Sequence, residues 1–276
     1  MEVNFFYILI LICTGVVVGF TTGLLGIGGG FLLVPILYFL LLNQGIEPTL
    51  AIRMAFGTSL AIIIPTAISS AIAHHREQQV VIKASLFMGG AGFIGALLGG
   101  YVASHTPGDI LRTIFALLMI TVALRMLLFS EKEVSTDRKE SIILFLLVGF
   151  VAGIMSGLVG VGGGIILIPA MVFLMGYGIR YAAGTSSAVI ILTSLGGIIS
   201  YVINGWGVPD LPAYSVGYIN LLALLFIAIF SIPLAQVGTL VSRKVPENIL
   251  RYIFVIIMVF ISLQMLGIFQ WLGIPL

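Results

Sequence analysis

Two runs of glycine are the groups in this chain best suited to hold a ligand. Gly26-Ile-Gly28-Gly29-Gly30 and Gly160-Val-Gly162-Gly163-Gly164 each gather backbone amides at one point and lead directly into an apolar run. Consecutive glycines let several N–H groups converge, and a helix that begins behind them adds the positive end of its dipole, which together predicts an anion site. Gly57-Thr58-Ser59 and Gly184-Thr185-Ser186 add hydroxyl donors suited to an oxyanion. Arg53 and Arg180 stand four residues before these two triplets, where they would draw in negative charge.

All of these groups occur twice because the chain is duplicated. Residues 15–35 recur as 149–169 with eleven of twenty-one positions identical, seven of them glycine. Arg53 to Ala61 then matches Arg180 to Ala188, and Pro107 to Arg112 matches Pro246 to Arg251. The repeat therefore divides the chain into residues 1–130 and 141–276, joined by a polar hinge over 131–140. The glycines spaced by four, Gly15, Gly19 and Gly23 with Gly149, Gly153 and Gly157, read instead as small-residue faces that let helices approach closely.

The elements that must position these groups are membrane helices. With 60% hydrophobic and 8% charged residues, the chain has too little polar surface to cover a soluble globule. A hydrocarbon core about 30 Å thick needs about 20 apolar residues per helix. Stretches of that order lie at 5–25, 53–73, 81–103, 110–129, 141–159, 182–203, 216–241 and 249–272, with shorter runs at 29–42 and 164–176. The expected fold is an all-α polytopic membrane protein with about eight to ten crossing or re-entrant helices. The short runs, with Pro35 and Pro169 inside them, suggest broken helices. No Lys or Arg precedes the first stretch, so it reads as a retained helix rather than a secretion signal.

Charge orients the two units. The loop from His74 to Lys83 is basic, whereas its counterpart over 204–215 has no Lys or Arg. The next pair reverses, since 104–109 has none and 242–248 holds Arg243 and Lys244. Basic loops face the cytoplasm, so each unit crosses an odd number of times, the units are inverted copies, and both termini lie outside. Inverted repeats are typical of secondary transporters, with the substrate near the midplane where the repeats meet.

Several functions are disfavoured. Glu47, Asp109, Asp210 and Glu247 all fall in loops or at helix ends, which leaves no carboxylate for a proton relay or cation site inside the membrane. No metal-ligand cluster and no nucleophile with a base partner is evident, so an enzyme is not expected, nor any cofactor. The glycine runs lack the Lys-Ser/Thr ending of a nucleotide loop, and a net charge of +2 does not suggest nucleic acid. His74 and His75 read as a solvated helix end, and Arg112 and Arg251 as interfacial anchors. An anion channel, or an accessory subunit that carries no flux, remains open as an alternative.

The doubled glycine motif, Gly23 to Pro35 and Gly157 to Pro169, together with Gly-Thr-Ser at 57–59 and 184–186, resembles the sulfite exporter TauE/SafE family, also called the toluene sulfonate uptake permease family. The resemblance implies a bacterial inner-membrane permease that moves sulfite, an organosulfonate or a related sulfur anion without a cofactor. A small oxyanion would then bind between the two glycine runs and be exposed to each side in turn as the halves rock. Its site would comprise Gly26, Gly28, Gly29, Gly30, Thr58, Ser59, Gly160, Gly162, Gly163, Gly164, Thr185 and Ser186, with Arg53 and Arg180 as attractors. The other expected partner is the lipid bilayer, with a homodimer as a further expectation from the small-residue faces.

Overall fold

The computed structural model describes residues 5–25, 29–128, 141–242 and 247–271. The first half contains α1 (Phe5–Leu25), α2 (Gly30–Asn43), α3 (Pro48–Arg76), α4 (Ile82–His105) and α5 (Gly108–Leu128). The second contains α6 (Ile142–Val159), α7 (Gly164–Phe173), α8 (Ile179–Asn204), a small hairpin of β1 (Ser215–Val216) and β2 (Ile219–Asn220), α9 (Leu221–Ser242), α10 (Glu247–Met265) and α11 (Ile268–Trp271). In each half one short helix follows the first long one. The polar hinge expected at 131–140, like Arg243 and Lys244, lies outside the described residues.

Among the described residues, seven helices (α1, α3, α4, α5, α6, α8 and α9) are long and apolar enough to cross a membrane, and α2 and α7 are shorter apolar helices. The chain is thus a multi-pass α-helical membrane protein. Its outer surface carries Leu86, Ile94 and Leu98 of α4 and Ile110, Leu117 and Leu124 of α5, all exposed where hydrocarbon replaces water. Its interior holds hydroxyls: Thr58, Ser59, Ser156, Thr185, Ser186, Thr193 and Ser194 are all buried.

Three expectations change in detail. The stretch 216–241 begins with the hairpin, in which Ser215 pairs with Asn220 and Val216 with Ile219, and helix starts only at Leu221. Gly267, with φ +73°, breaks the last stretch between α10 and α11. Pro35 and Pro169 do not end their helices, each lying inside a short helix that starts at a glycine.

Glycine sets the packing. Along α6, a Cβ on Gly149 would strike Met88, on Gly153 the Gly92 backbone, and on Gly157 the backbone of Ala96 and Gly100. Contacts that rise together in number mean that α6 and α4 run parallel with touching backbones. In the same sense, Gly15 of α1 faces Ile227 of α9 and Gly19 faces Ser231. The helices α3 and α8 instead run antiparallel: Gly57 meets Tyr201, Ser70 Oγ lies 3.0 Å from Ser187 Oγ, and Gly184 meets His74. Each half therefore lays its first helix against the fourth long-or-short helix of the other.

Candidate functional site

The second glycine run is a buried break between two helices. α6 closes at Gly160 (φ +70°), Gly162 and Gly163 follow at +80° and +81°, and α7 starts at Gly164. These angles lie in the left-handed region that only glycine enters without strain. Space enforces the same choice at Gly160, where a Cβ would sit 2.5 Å from Phe56 Cα. In the first half Gly29 (φ +56°) takes the matching place before α2. Gly26 and Gly28 lie outside the described residues.

The two breaks meet. A Cβ on Gly30 would stand 2.9 Å from Val161 Cα and 2.8 Å from Ile63 Cδ1. Ile63 of α3 also borders Gly162, as does Ile190, its repeat equivalent on α8. One glycine run from each half thus sits against the other between the antiparallel α3 and α8.

Polar groups collect there. The first α7 amides to bond within the helix are those of Ile166 and Leu167, both to the Gly163 carbonyl, so the N–H groups of Gly164 and Ile165 have no intrahelical acceptor. Thr193 Oγ1 donates to the Gly162 carbonyl at 3.0 Å and steadies the break. Ser156 adjoins Gly163, and its buried hydroxyl has no hydrogen-bond partner. The hydroxyls of Ser59 and Ser194 are likewise buried and unpartnered. Ser59 lies on α3 between Phe56, which touches Gly160, and Ile63, which touches Gly162. An unmade buried hydrogen bond costs about 1–3 kcal/mol, so a hydroxyl in this state can gain by meeting an acceptor.

Sequence reasoning missed Ser156, Thr193 and Ser194. A signal existed for two of them, since Ser156 matches Thr22 and Thr193 matches Thr66 across the repeat, a hydroxyl in each copy.

The two Gly-Thr-Ser segments are not brought together. Thr58 Oγ1 accepts the Asn220 N–H at 2.9 Å, and Asn220 Oδ1 in turn accepts the Ala223 N–H at the start of α9. Thr185 Oγ1 accepts the Val81 N–H at 3.0 Å at the start of α4. Gly57 makes room for the Tyr218 carbonyl, and Gly184 for the Gln79 carbonyl. Each triplet is therefore a socket for a loop of the opposite half, and Ser186 closes on its own helix at the Ala183 carbonyl.

The arginines are farther out. Arg53 and Arg180 precede Ile63 and Ile190 by ten residues, about 15 Å along a helix axis. Arg53 is half-buried, with Nη2 donating to the Thr106 carbonyl at 3.1 Å, Nη1 within 3.5 Å of Tyr218 Oη, and the guanidinium 5.9 Å from the Tyr218 ring centre. Arg180 is exposed. Arg112 ties α5 to its neighbours, donating to Tyr38 Oη at 3.1 Å and to the Met265 carbonyl at 3.2 Å. Among the described residues no group of three His, Cys, Asp or Glu side chains could hold a metal ion.

A multi-pass helical protein whose centre is two facing helix breaks has the form of a membrane transporter. The chain matches the sulfite exporter TauE/SafE profile over residues 11–265 and belongs to that family. It is 31% identical over 261 residues to a probable membrane transporter protein of Haemophilus influenzae, covering 95% of this chain and 98% of that one. It is 33% identical over 274 residues to a probable membrane transporter protein of Methanocaldococcus jannaschii, covering 99% and 98%. A probable membrane transporter protein of Bacillus subtilis is 29% identical over 282 residues. No solved structure matches the chain significantly.

Proposed function

We propose that the protein is a secondary transporter for a small sulfur oxyanion, sulfite or an organosulfonate, which binds where the two glycine breaks meet. The contact of Gly30 with Val161 carries the reading, because it brings both helix breaks to one buried point. Helix amides and buried hydroxyls there are donors, the chemistry an oxyanion requires. The family to which the chain belongs supports the choice of sulfur anion.

The two halves are inverted copies about an axis in the membrane plane. Antiparallel packing of the equivalent helices α3 and α8 supports this, as do the parallel pairs α1–α9 and α4–α6. Those parallel pairs also change the moving bodies. Rocking one sequence half against the other would pull apart backbones that touch, so the α1–α9 pair moves against the α4–α6–α8 bundle instead. The basic loop at 74–83 faces the cytoplasm of a bacterial inner membrane and both termini face outward. With the interior negative, an anion leaves downhill by about 2.3 kcal/mol per charge per 100 mV, so export needs no coupling ion.

The test is uptake of labelled sulfite and methanesulfonate into proteoliposomes with and without an imposed potential. Saturable, potential-sensitive flux competed by one of these anions is expected. Flux that never saturates would mean a channel, and no flux above protein-free liposomes would remove the transport reading.

A further inference from the structure

Among the described residues, the side chains nearest the meeting point of the two breaks are uncharged. The nearest neighbours of Gly30 and Gly160–Gly163 are the side chains of Phe56, Ile63, Ser156 and Ile190 and the backbone of Val161 and Ala152, with Thr193 bonded to the Gly162 carbonyl. Neither copy of the glycine segment, 15–35 or 149–169, contains a charged residue. Arg53 is held by Thr106 and Tyr218 ten residues along α3, and Arg180 is exposed. The donors on hand are neutral: the amides of Gly164 and Ile165, and the buried, unpartnered hydroxyl of Ser156 beside Gly163.

We propose that this site selects by charge number, taking oxyanions that carry one negative charge and rejecting those that carry two. This deepens the transport reading and rests on it. The cost of removing an ion from water grows with the square of its charge. Attraction by fixed neutral dipoles, such as helix amides and hydroxyls, grows only in proportion to it. Doubling the charge therefore doubles the gain and quadruples the cost, and among the described residues no cationic side chain is one of the nearest neighbours of these glycines to make up the difference. The species carried are then bisulfite and sulfonates, while the fully ionised sulfite dianion and sulfate are refused.

Three labelled anions in proteoliposomes, followed across neutral pH with protein-free liposomes subtracted, test this. Methanesulfonate stays singly charged, sulfate stays doubly charged, and sulfite passes from one form to the other near neutrality. The expected result is methanesulfonate flux independent of pH, no sulfate flux, and sulfite flux at fixed total concentration that falls by about tenfold per pH unit above its second ionisation. Sulfate flux comparable to that of methanesulfonate would overturn the proposal and leave transport intact. So would sulfite flux that rises with pH, or sulfite and methanesulfonate changing in parallel, because the protein and not the substrate would then be titrating. Absence of flux for all three would remove the transport reading and this inference with it.

Discussion

The two sockets, Gly57-Thr58 on α3 and Gly184-Thr185 on α8, share a backbone plan and differ in what locks them. In both, a glycine admits a loop carbonyl of the opposite half and a threonine oxygen receives the amide that starts the next helix. Around Gly57 the lock is heavy: Tyr201 donates to the Gly157 carbonyl at 2.8 Å, its ring meets Tyr218 edge-on, and Arg53 reaches Tyr218 and Thr106. Around Gly184 it is light: His74 Nδ1 lies 2.8 Å from Gln79 Oε1, and Arg180 is exposed. Duplication has kept the backbone joints, which only glycine and a hydroxyl can make, while the side-chain latches have diverged.

Changes that fill the sockets break the comparison most directly. Gly184→Val places a Cβ 2.6 Å from the Gln79 carbonyl oxygen and Gly57→Val places one 3.0 Å from that of Tyr218. Overpacking of this kind costs about 1–3 kcal/mol, and thermal unfolding in detergent should show the larger loss for Gly184→Val. Equal stability of both variants with the parent would mean that the loops are not seated as described. Next come Thr58→Val, which leaves the buried Asn220 amide unpaired at about 1–3 kcal/mol, and Thr185→Val, which leaves the part-buried Val81 amide unpaired and should cost less.

The latches should separate the ends. Arg53→Met removes a half-buried donor that holds Thr106 and Tyr218, for a loss of about 1 kcal/mol, whereas Arg180→Met stays within about 0.5 kcal/mol of the parent. A matching loss at Arg180 would sink the asymmetry. If the double replacement of Arg53 and Arg180 by alanine leaves anion flux intact, neither arginine attracts the substrate.

The smallest effect is at Glu47, which caps α3 by accepting the Leu50 N–H at 2.9 Å. Burial pushes its carboxyl up, but hydrogen bonds from Thr49 and Leu50 outweigh that and hold it below the ordinary carboxylate range. The stability it contributes is therefore complete above the unfolded carboxylate pKa and fades as pH falls through the lowered folded value. Glu47→Ala should cost about 0.5–1 kcal/mol at neutral pH and nothing in acid, read from Tm at the two pH values.

The helices were legible because bilayer thickness forces long apolar runs, and the starts of α2 and α7 were marked by glycine. The hairpin before α9 was not, since residues 216–220 continue the apolar run and nothing local separates a seated loop from a membrane helix. At the site, the glycine breaks could be read from the sequence, but their meeting could not, because Gly30 and Val161 are 131 positions apart. Thr58 and Thr185 read as ligand donors because a hydroxyl shows its chemistry and hides its partner, which here is an amide of the opposite half. Ser156 was hidden in a small-residue face whose glycines explained themselves by packing.

The parallel pairing of α4 with α6 and of α1 with α9 has a consequence for how the protein is made. The α1 and α4 segments leave the ribosome before the helices that cover their glycine faces have been synthesised. The early half must wait in the bilayer with those faces bare, exposed to any passing helix, until its own later half closes over them. Each half thus serves as the other's assembly template, and a truncated chain would present quality-control proteases with an unfinished surface rather than a smaller transporter.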